Sequence, residues 1–298
     1  MELSWSMKLR IAAAAVIGVV LIGIVSWPSD ATIDPFGSVL LQDIGTNGAV
    51  TLLIMAFLAG LVSYFAAWPY GREIGILAVP FGLCVWTVRA GSMGGLMQLN
   101  PMPVERMAVL AALRWEPAFW LLVVACGFAG VSLGQRIVAR LKKRRNTEKI
   151  NYRPEKFIYL LMSLLLSGII AIFCIRLFAR DVGVLDGRLD SVSAQPALGQ
   201  IIFAVLLSFG IAAFAVKLFF NTGYIWPMIS CALVSIYEIS TYMKPKVLEN
   251  FVREMPPVFF PQAVATILPV QIVTFGAIGS ITGYWMAVRY NYWRKHEM

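Results

Sequence analysis

The sequence predicts an all-α membrane protein with eight transmembrane helices. They form two parallel four-helix repeats, with both termini inside. Three observations predict it. The chain is 59% hydrophobic and 14% charged, with a mean hydropathy of +0.75, whereas a soluble domain is about half apolar and about a quarter charged. Eight apolar runs reach the length of about 20 residues that crosses a bilayer as a helix. The chain also superposes on itself at an offset of 149, half of its 298 residues.

The first run, residues 9–27, follows Lys8 and Arg10 as a signal peptide would. No A-x-A-like cleavage site precedes Trp27–Pro28, so a retained helix is expected. The other runs cover residues 48–68, 74–92, 117–136, 157–177, 198–219, 223–243 and 264–287. Open backbone cannot face lipid, so each run is expected to be helical. Strand-length segments of alternating polarity are absent from the sequence, which argues against an outer-membrane barrel. No connecting loop is long enough for a soluble domain.

Orientation follows from Lys and Arg, which concentrate on the cytoplasmic side. With both termini inside, the inner segments hold 16 of the 25 basic residues, and the run R-L-K-K-R-R from Arg140 to Arg145 dominates. The net charge of +9 therefore reads as a topology signal and as attraction to anionic headgroups, not as nucleic-acid binding. This places the chain in a plasma membrane, the inner membrane if the cell is bacterial. All six aspartates fall in two outer loops, Asp30, Asp34 and Asp43 in one, Asp181, Asp186 and Asp190 in the other. They are either solvated loop and capping residues or a vestibule that attracts cations.

The repeat divides the chain into units 1–149 and 150–298. About a tenth of the paired positions are identical, close to what an apolar composition gives by chance. The clustering is the stronger signal. Gly127, Gly130 and Gly134 match Gly276, Gly279 and Gly283, Arg140 and Arg145 match Arg289 and Arg294, and Glu105 matches Glu254. An even number of helices per unit leaves both copies in one orientation, so the repeats are parallel. Both glycine runs read G-x-x-G-x-x-x-G. Glycines at this spacing share a helix face and let another helix approach closely. They are expected at tight helix contacts, or alternatively at a sliding or gating surface.

Two charges fall within spans at equivalent positions, Arg89 on the third and Glu238 on the seventh. A charge in hydrocarbon costs about 2.5–3.5 kcal/mol even on the lenient insertion scale. Opposite signs at equivalent positions predict that the two approach each other across the repeat axis. The alternative is that each snorkels to the outer surface. Cys231, Ser235, Glu238 and Tyr242 recur at spacings of four, three and four, beside Thr241, which places them on one helix face. Trp86, Arg89 and Ser92 or Met93 form the matching face of the third span. Pro80 and Pro227 lie in these same spans and are expected to kink them. Gln271, beside Pro269, is placed to bond a freed backbone group, Gln200 is a weaker polar position, and Arg176 and Lys217 are expected to snorkel. In the outer loops, Glu105 and Glu254 are expected to pair with Arg106 and Arg253, or alternatively to line an outer mouth. Residues Val104 to Trp115 are expected to form a helix without a clean apolar face.

The chemistry is sparse. The single histidine, His296, excludes serine–histidine catalysis and His-rich metal sites. Cys84, Cys126, Cys174 and Cys231 each sit alone in an apolar run, which argues against zinc, iron–sulfur and dithiol chemistry. No pair of aspartates lies within spans, as an intramembrane aspartyl protease needs. Lipid-modifying chemistry on Glu238 or Glu105 is the one enzymatic reading left. No cofactor or metal is expected. Two functions remain in view. One is a transporter or channel for a small polar or ionic solute, with a pathway between the repeats. Arg89, Glu238, Ser235, Tyr242, Trp86 and Gln271 would line or gate it. The other is a non-catalytic accessory subunit of a membrane complex. The partners are then the lipid bilayer and other membrane subunits or further copies of the chain.

Overall fold

The computed structural model describes residues 5–27, 41–100, 102–141, 154–179, 182–186, 189–194, 196–244 and 263–296. Helix α1 (Trp5–Gly18) runs on into a π-helical stretch, Val19–Val25. Then come α2 (Leu41–Ala66), α3 (Gly71–Ile74), a 3-10 turn (Gly75–Leu77), α4 (Ala78–Arg89), α5 (Met93–Leu99), α6 (Pro103–Leu113) and α7 (Glu116–Leu141). The remainder is α8 (Pro154–Phe178), strands β1 (Val182–Asp186) and β2 (Leu189–Ala194), α9 (Leu198–Phe220), α10 (Ile225–Tyr242), a 3-10 turn (Ala263–Thr266) and α11 (Pro269–His296).

Six helical stretches are long and apolar enough to cross a membrane: Trp5–Val25, Ile44–Ala66, Gly71–Arg89, Pro103–Arg140, Ile158–Phe178 and Leu198–Phe220. They mark the chain as a membrane protein. Helices α10 and α11 are less apolar for a physical reason. Every residue from Ala263 to Ile281 is buried, and most of α10 is buried too. A helix enclosed by protein need not present an apolar surface to lipid. It therefore carries Ser230, Ser235, Glu238, Gln271, Thr274 and Ser280, all buried. By contrast α8 turns Ile158, Leu165, Ile169 and Phe173 outward.

The expected proline kinks are not where the sequence suggests. Pro80 and Pro227 are each the third residue of their helix, α4 and α10. In a first turn the missing N–H has no intrahelical partner to lose, so proline is tolerated. The third span is broken just before Pro80, by the 3-10 turn Gly75–Leu77. Four residues after each proline a cysteine thiol donates to its carbonyl: Cys84 to Pro80 at 3.3 Å and Cys231 to Pro227 at 3.4 Å.

The most extensive helix pairs are α2 with α7 and α9 with α11. Glycine brings each pair together. A Cβ at Gly130 would strike the Phe57 carbonyl oxygen and lie 2.9 Å from the Leu61 amide nitrogen. A Cβ at Gly279 would strike the Leu206 carbonyl oxygen and lie 3.1 Å from the Gly210 amide nitrogen. Leu206 and Gly210 follow Phe57 and Leu61 by 149 residues, as Gly279 follows Gly130. At Gly127 a Cβ would strike the Val79 side chain, and at Gly276 the Cys231 sulfur. Gly134 faces the Tyr64 ring, and Gly283 faces the Gly210 backbone. Backbone approach this close is the van der Waals packing that holds helices together in lipid, where no hydrophobic drive exists.

Strands β1 and β2 form one antiparallel hairpin, with an irregularity between Val184 and Asp186. This is an element the sequence reading did not anticipate. The backbones of Asp186 and Asp190 belong to it and that of Asp43 to α2. Asp30, Asp34, Asp181, Lys142 to Arg145, Arg253 and Glu254 lie outside the described residues.

Candidate functional site

Helix α10 buries Cys231, Ser235, Glu238 and Tyr242 on one face, the stripe that the 4-3-4 spacing implies. Glu238 is 2% exposed, and its carboxylate lies 3.5 Å from the guanidinium of Arg176, in the last turn of α8. The two form an ion pair. Arg176 is half exposed and reaches inward from the rim. The predicted partner, Arg89, is elsewhere. Its guanidinium lies over the ring of Trp27, 4.7 Å from the centroid. The reason is packing: α8 lies on α10, and the π-helical end of the first span lies on α4. Each charge is met within its own half of the chain. Trp27 and Arg89 are the positions equivalent to Arg176 and Glu238 at the 149 offset. The same two positions therefore meet in both halves, with the arginine on opposite helices.

Behind Arg89 lies a tryptophan cluster. Trp27 and Trp86 have ring centroids 4.6 Å apart, and Trp86 and Trp120 5.7 Å apart. Trp86 is buried, and its indole N–H donates to the Ile22 carbonyl at 2.8 Å. That bond matters because a buried indole N–H needs a partner. Glu116 is buried beside the cluster. Its carboxylate accepts from the Leu41 amide at 2.7 Å and from the Trp120 indole at 3.4 Å. It thus satisfies an orphan donor at the start of α2, as a helix cap does. Sequence reasoning missed Glu116, because capping by a residue 75 positions away leaves no local pattern. Its place at the head of an apolar run was the one available signal.

Helix α6 corrects a second expectation. Arg106, Val109, Leu110 and Leu113 are buried on one face, so the helix does have an inward side. Glu105 does not pair with Arg106. Its Oε2 accepts from the Met102 amide at 3.3 Å, while Arg106 is 2% exposed and donates from Nε to the Asn100 carbonyl at 2.9 Å. Nη2 of Arg106 donates to the Met97 carbonyl at 3.4 Å. The guanidinium thereby ties the end of α5 to α6. Ser92, placed on the α4 face by the sequence, is exposed and accepts from the Gly95 amide as the cap of α5, while Met93 is buried.

The two halves meet where α4 packs on α11, α7 on α10 and α11, and α6 on α10. Gln271 bonds across this seam. Its Nε2 donates to the Gly91 carbonyl at 3.3 Å, and its Oε1 accepts from the Leu268 amide at 3.1 Å. The group bonded beside Pro269 is the Leu268 amide, an orphan donor at the start of α11, and not a carbonyl freed by the proline. Thr274 is buried and its hydroxyl has no hydrogen-bond partner among the described residues, while Thr282 donates to the Ile278 carbonyl at 2.9 Å. A spacing of three residues sets Gln271 and Thr274 near one another on α11, while Thr282, three residues after Gly279, also donates to the Gly279 carbonyl at 3.0 Å. At the far end of the seam, Tyr224 packs against Phe128 of α7 at 6.1 Å and Tyr284 of α11 at 5.4 Å.

Among the described residues, no three His, Cys, Asp or Glu side chains gather as metal ligands. No family model matches the chain, and no curated protein or solved structure matches it.

Proposed function

We propose that this protein is a transporter or channel for a small polar or ionic solute, with its pathway between two parallel four-helix repeats. In this reading α10 and α11 complete eight spans, both termini are inside, and the membrane is a plasma membrane, the inner one in a bacterium. The repeat is supported by contacts that recur at the 149 offset: Gly130 with Phe57 and Leu61 against Gly279 with Leu206 and Gly210, and Trp27–Arg89 against Arg176–Glu238. The helix pairs across the seam also obey it, since α4 on α11 and α10 on α7 exchange under the offset.

The observation that supports the function is Gln271, a buried polar side chain of α11 that bonds the Gly91 carbonyl of the first half, with the buried Thr274 three residues further on. Polar groups are costly inside a membrane, and those found there usually face a pathway or a partner. Arg89, two residues from the Gly91 carbonyl that Gln271 bonds, stands at the outer mouth. Glu238, Ser235 and Tyr242 lie behind it within the second half, and Trp86 backs the first. The test is flux into liposomes holding the purified protein, over a panel of inorganic ions and small polar organic solutes. We expect flux above protein-free liposomes for at least one solute. Gln271→Leu with Thr274→Val should lower it about tenfold or more, as loss of a polar lining does. No flux across the panel would sink the reading.

A second reading, an accessory subunit of a membrane complex, draws on the glycine-held helix pairs and the unbroken burial from Ala263 to Ile281. A core packed this closely suits a rigid scaffold. Purification from native membranes at fixed stoichiometry with other membrane proteins would favour it.

A further inference from the structure

The first span changes its winding at its end. Val19–Val25 is π-helical, and the bonds around Ile22 give a reason. In an α-helix the Ile22 carbonyl would accept from the Ser26 N–H, four residues on. Here the Ser26 N–H reaches back five residues to the Leu21 carbonyl at 3.2 Å, and the Trp27 N–H closes on the Ile24 carbonyl at 3.3 Å. The Ile22 carbonyl accepts from two side chains, the Ser26 hydroxyl and the Trp86 indole, the latter at 2.8 Å. Trp86 reaches it because α4 lies close against the backbone of the first span. A Cβ at Gly18 would strike the Ala78 carbonyl oxygen, and one at Gly82 the Gly18 carbonyl oxygen. Gly82 is one turn before Trp86 on the same face of α4.

The second half supplies the comparison. Positions 168–174, equivalent at the 149 offset, lie inside α8, which is α-helical from Pro154 to Phe178. There Ile175 stands in the place of Ser26, Ser235 in that of Trp86, and Cys231 in that of Gly82. The half with both long-reaching donor and close approach has the π turn, and the half without them winds as a plain α-helix.

We propose that Trp86 is a positioning residue: by drawing the Ile22 carbonyl out of the helix ladder it holds the π turn, and the turn sets Trp27 beneath Arg89. Trp27 follows the turn directly. Its ring centroid lies 4.6 Å from that of Trp86 and 4.7 Å from the Arg89 guanidinium. Each residue of an α-helix turns the chain by about 100°, so one residue more or less in the winding before Trp27 carries its ring off the guanidinium. Arg89 is exposed, and the ring gives its charge a fixed place. Single π turns inside α-helices recur at functional sites. The role rests on the transport reading, in which that guanidinium is the charge a solute meets at the outer mouth.

The test uses the full chain in detergent micelles, with its tryptophans labelled by nitrogen-15 and their indole N–H resonances recorded. Trp27→Phe assigns the Trp27 resonance. In the otherwise native chain, Arg89→Ala shifts that resonance, because a cation leaves the ring face. With Trp86→Phe present, Arg89→Ala shifts it about fivefold less or not at all, since the cation–π contact needs the ring in place. Trp120→Phe takes a ring from the same cluster, leaves the Ile22 carbonyl bonded, and keeps the response. Should Trp86→Phe fail to fold, benzothienylalanine at position 86, which keeps the indole shape and lacks its N–H, carries the same comparison. A full response with the Trp86 N–H removed overturns the proposal. So does an equal loss in Trp120→Phe, which would mean that any damage to the cluster suffices. A loss in Ser26→Ala but not in Trp86→Phe would assign the turn to the serine. The resonance reads geometry where liposome flux reads transport, so the two readings fail separately.

Discussion

The carboxylate of Glu238 lies 3.5 Å from the guanidinium of Arg176, and it is buried where the arginine is half exposed. The asymmetry decides which partner can be spared. Without Arg176, a buried carboxylate is left alone. Without Glu238, a half-exposed arginine still reaches solvent.

Arg176→Leu should therefore destabilise more than Glu238→Gln does. Breaking a fully buried pair costs about 3–5 kcal/mol. With one partner half exposed, the cost is discounted to about 1–2 kcal/mol. Thermal unfolding of both single variants and the double variant checks this. The double variant should be more stable than Arg176→Leu alone. Equal losses in both single variants would mean the pair is not organised this way.

The recurrence of the pair at positions 27 and 89 can be tested by transplantation. Trp27→Arg with Arg89→Glu builds the second half's pair into the first. Arg89→Glu alone sets a carboxylate against the electron-rich face of Trp27, losing a contact of about 0.5–1 kcal/mol and adding repulsion. The double variant should unfold above that single variant. If it unfolds below, the two sites are not geometrically alike.

Gly279→Ala and Gly130→Ala should each destabilise by about 1–3 kcal/mol, as overpacking does. Their new methyl groups meet backbone atoms that cannot step aside. Gly199→Ala and Gly223→Ala meet nothing within 4 Å and should be near neutral. Melting temperatures in one detergent compare all four.

Glu116→Ala should cost about 1–3 kcal/mol, because it strands the Leu41 amide and the Trp120 indole. Glu116→Gln keeps an acceptor and should recover part of the loss. Near-ultraviolet circular dichroism, which reports the Trp27–Trp86–Trp120 cluster, should change with Glu116→Ala more than with Glu116→Gln.

What the sequence made legible was what depends on spacing along one helix. Glycine spacing located Gly130 and Gly279, and the 4-3-4 spacing located the buried stripe of α10. Their partners were not legible, because periodicity says which residues share a face and nothing about which helix lies opposite. Glu238 meets Arg176, whose place in a last turn reads as snorkelling. Pro227 misled for a related reason. Where a helix starts decides whether its proline kinks it, and α10 begins two residues before. The runs behind α10 and α11 read as spans like the other six, yet among the described residues they are not among the six stretches long and apolar enough to cross a membrane, since enclosure by protein relaxes the demand for apolarity.

That enclosure bears on how the molecule is made. The stretch from Ala263 to Ile281 is buried throughout, packed by α4, α7, α9 and α10, and it follows all of them along the chain. The ribosome therefore delivers it after the helices that enclose it. The Leu206 and Gly210 backbone that Gly279 covers has no such cover until then. Gln271, Thr274 and Ser280, buried in the finished molecule, reach that setting only once their neighbours are in place, so the close fit of both halves waits on one helix.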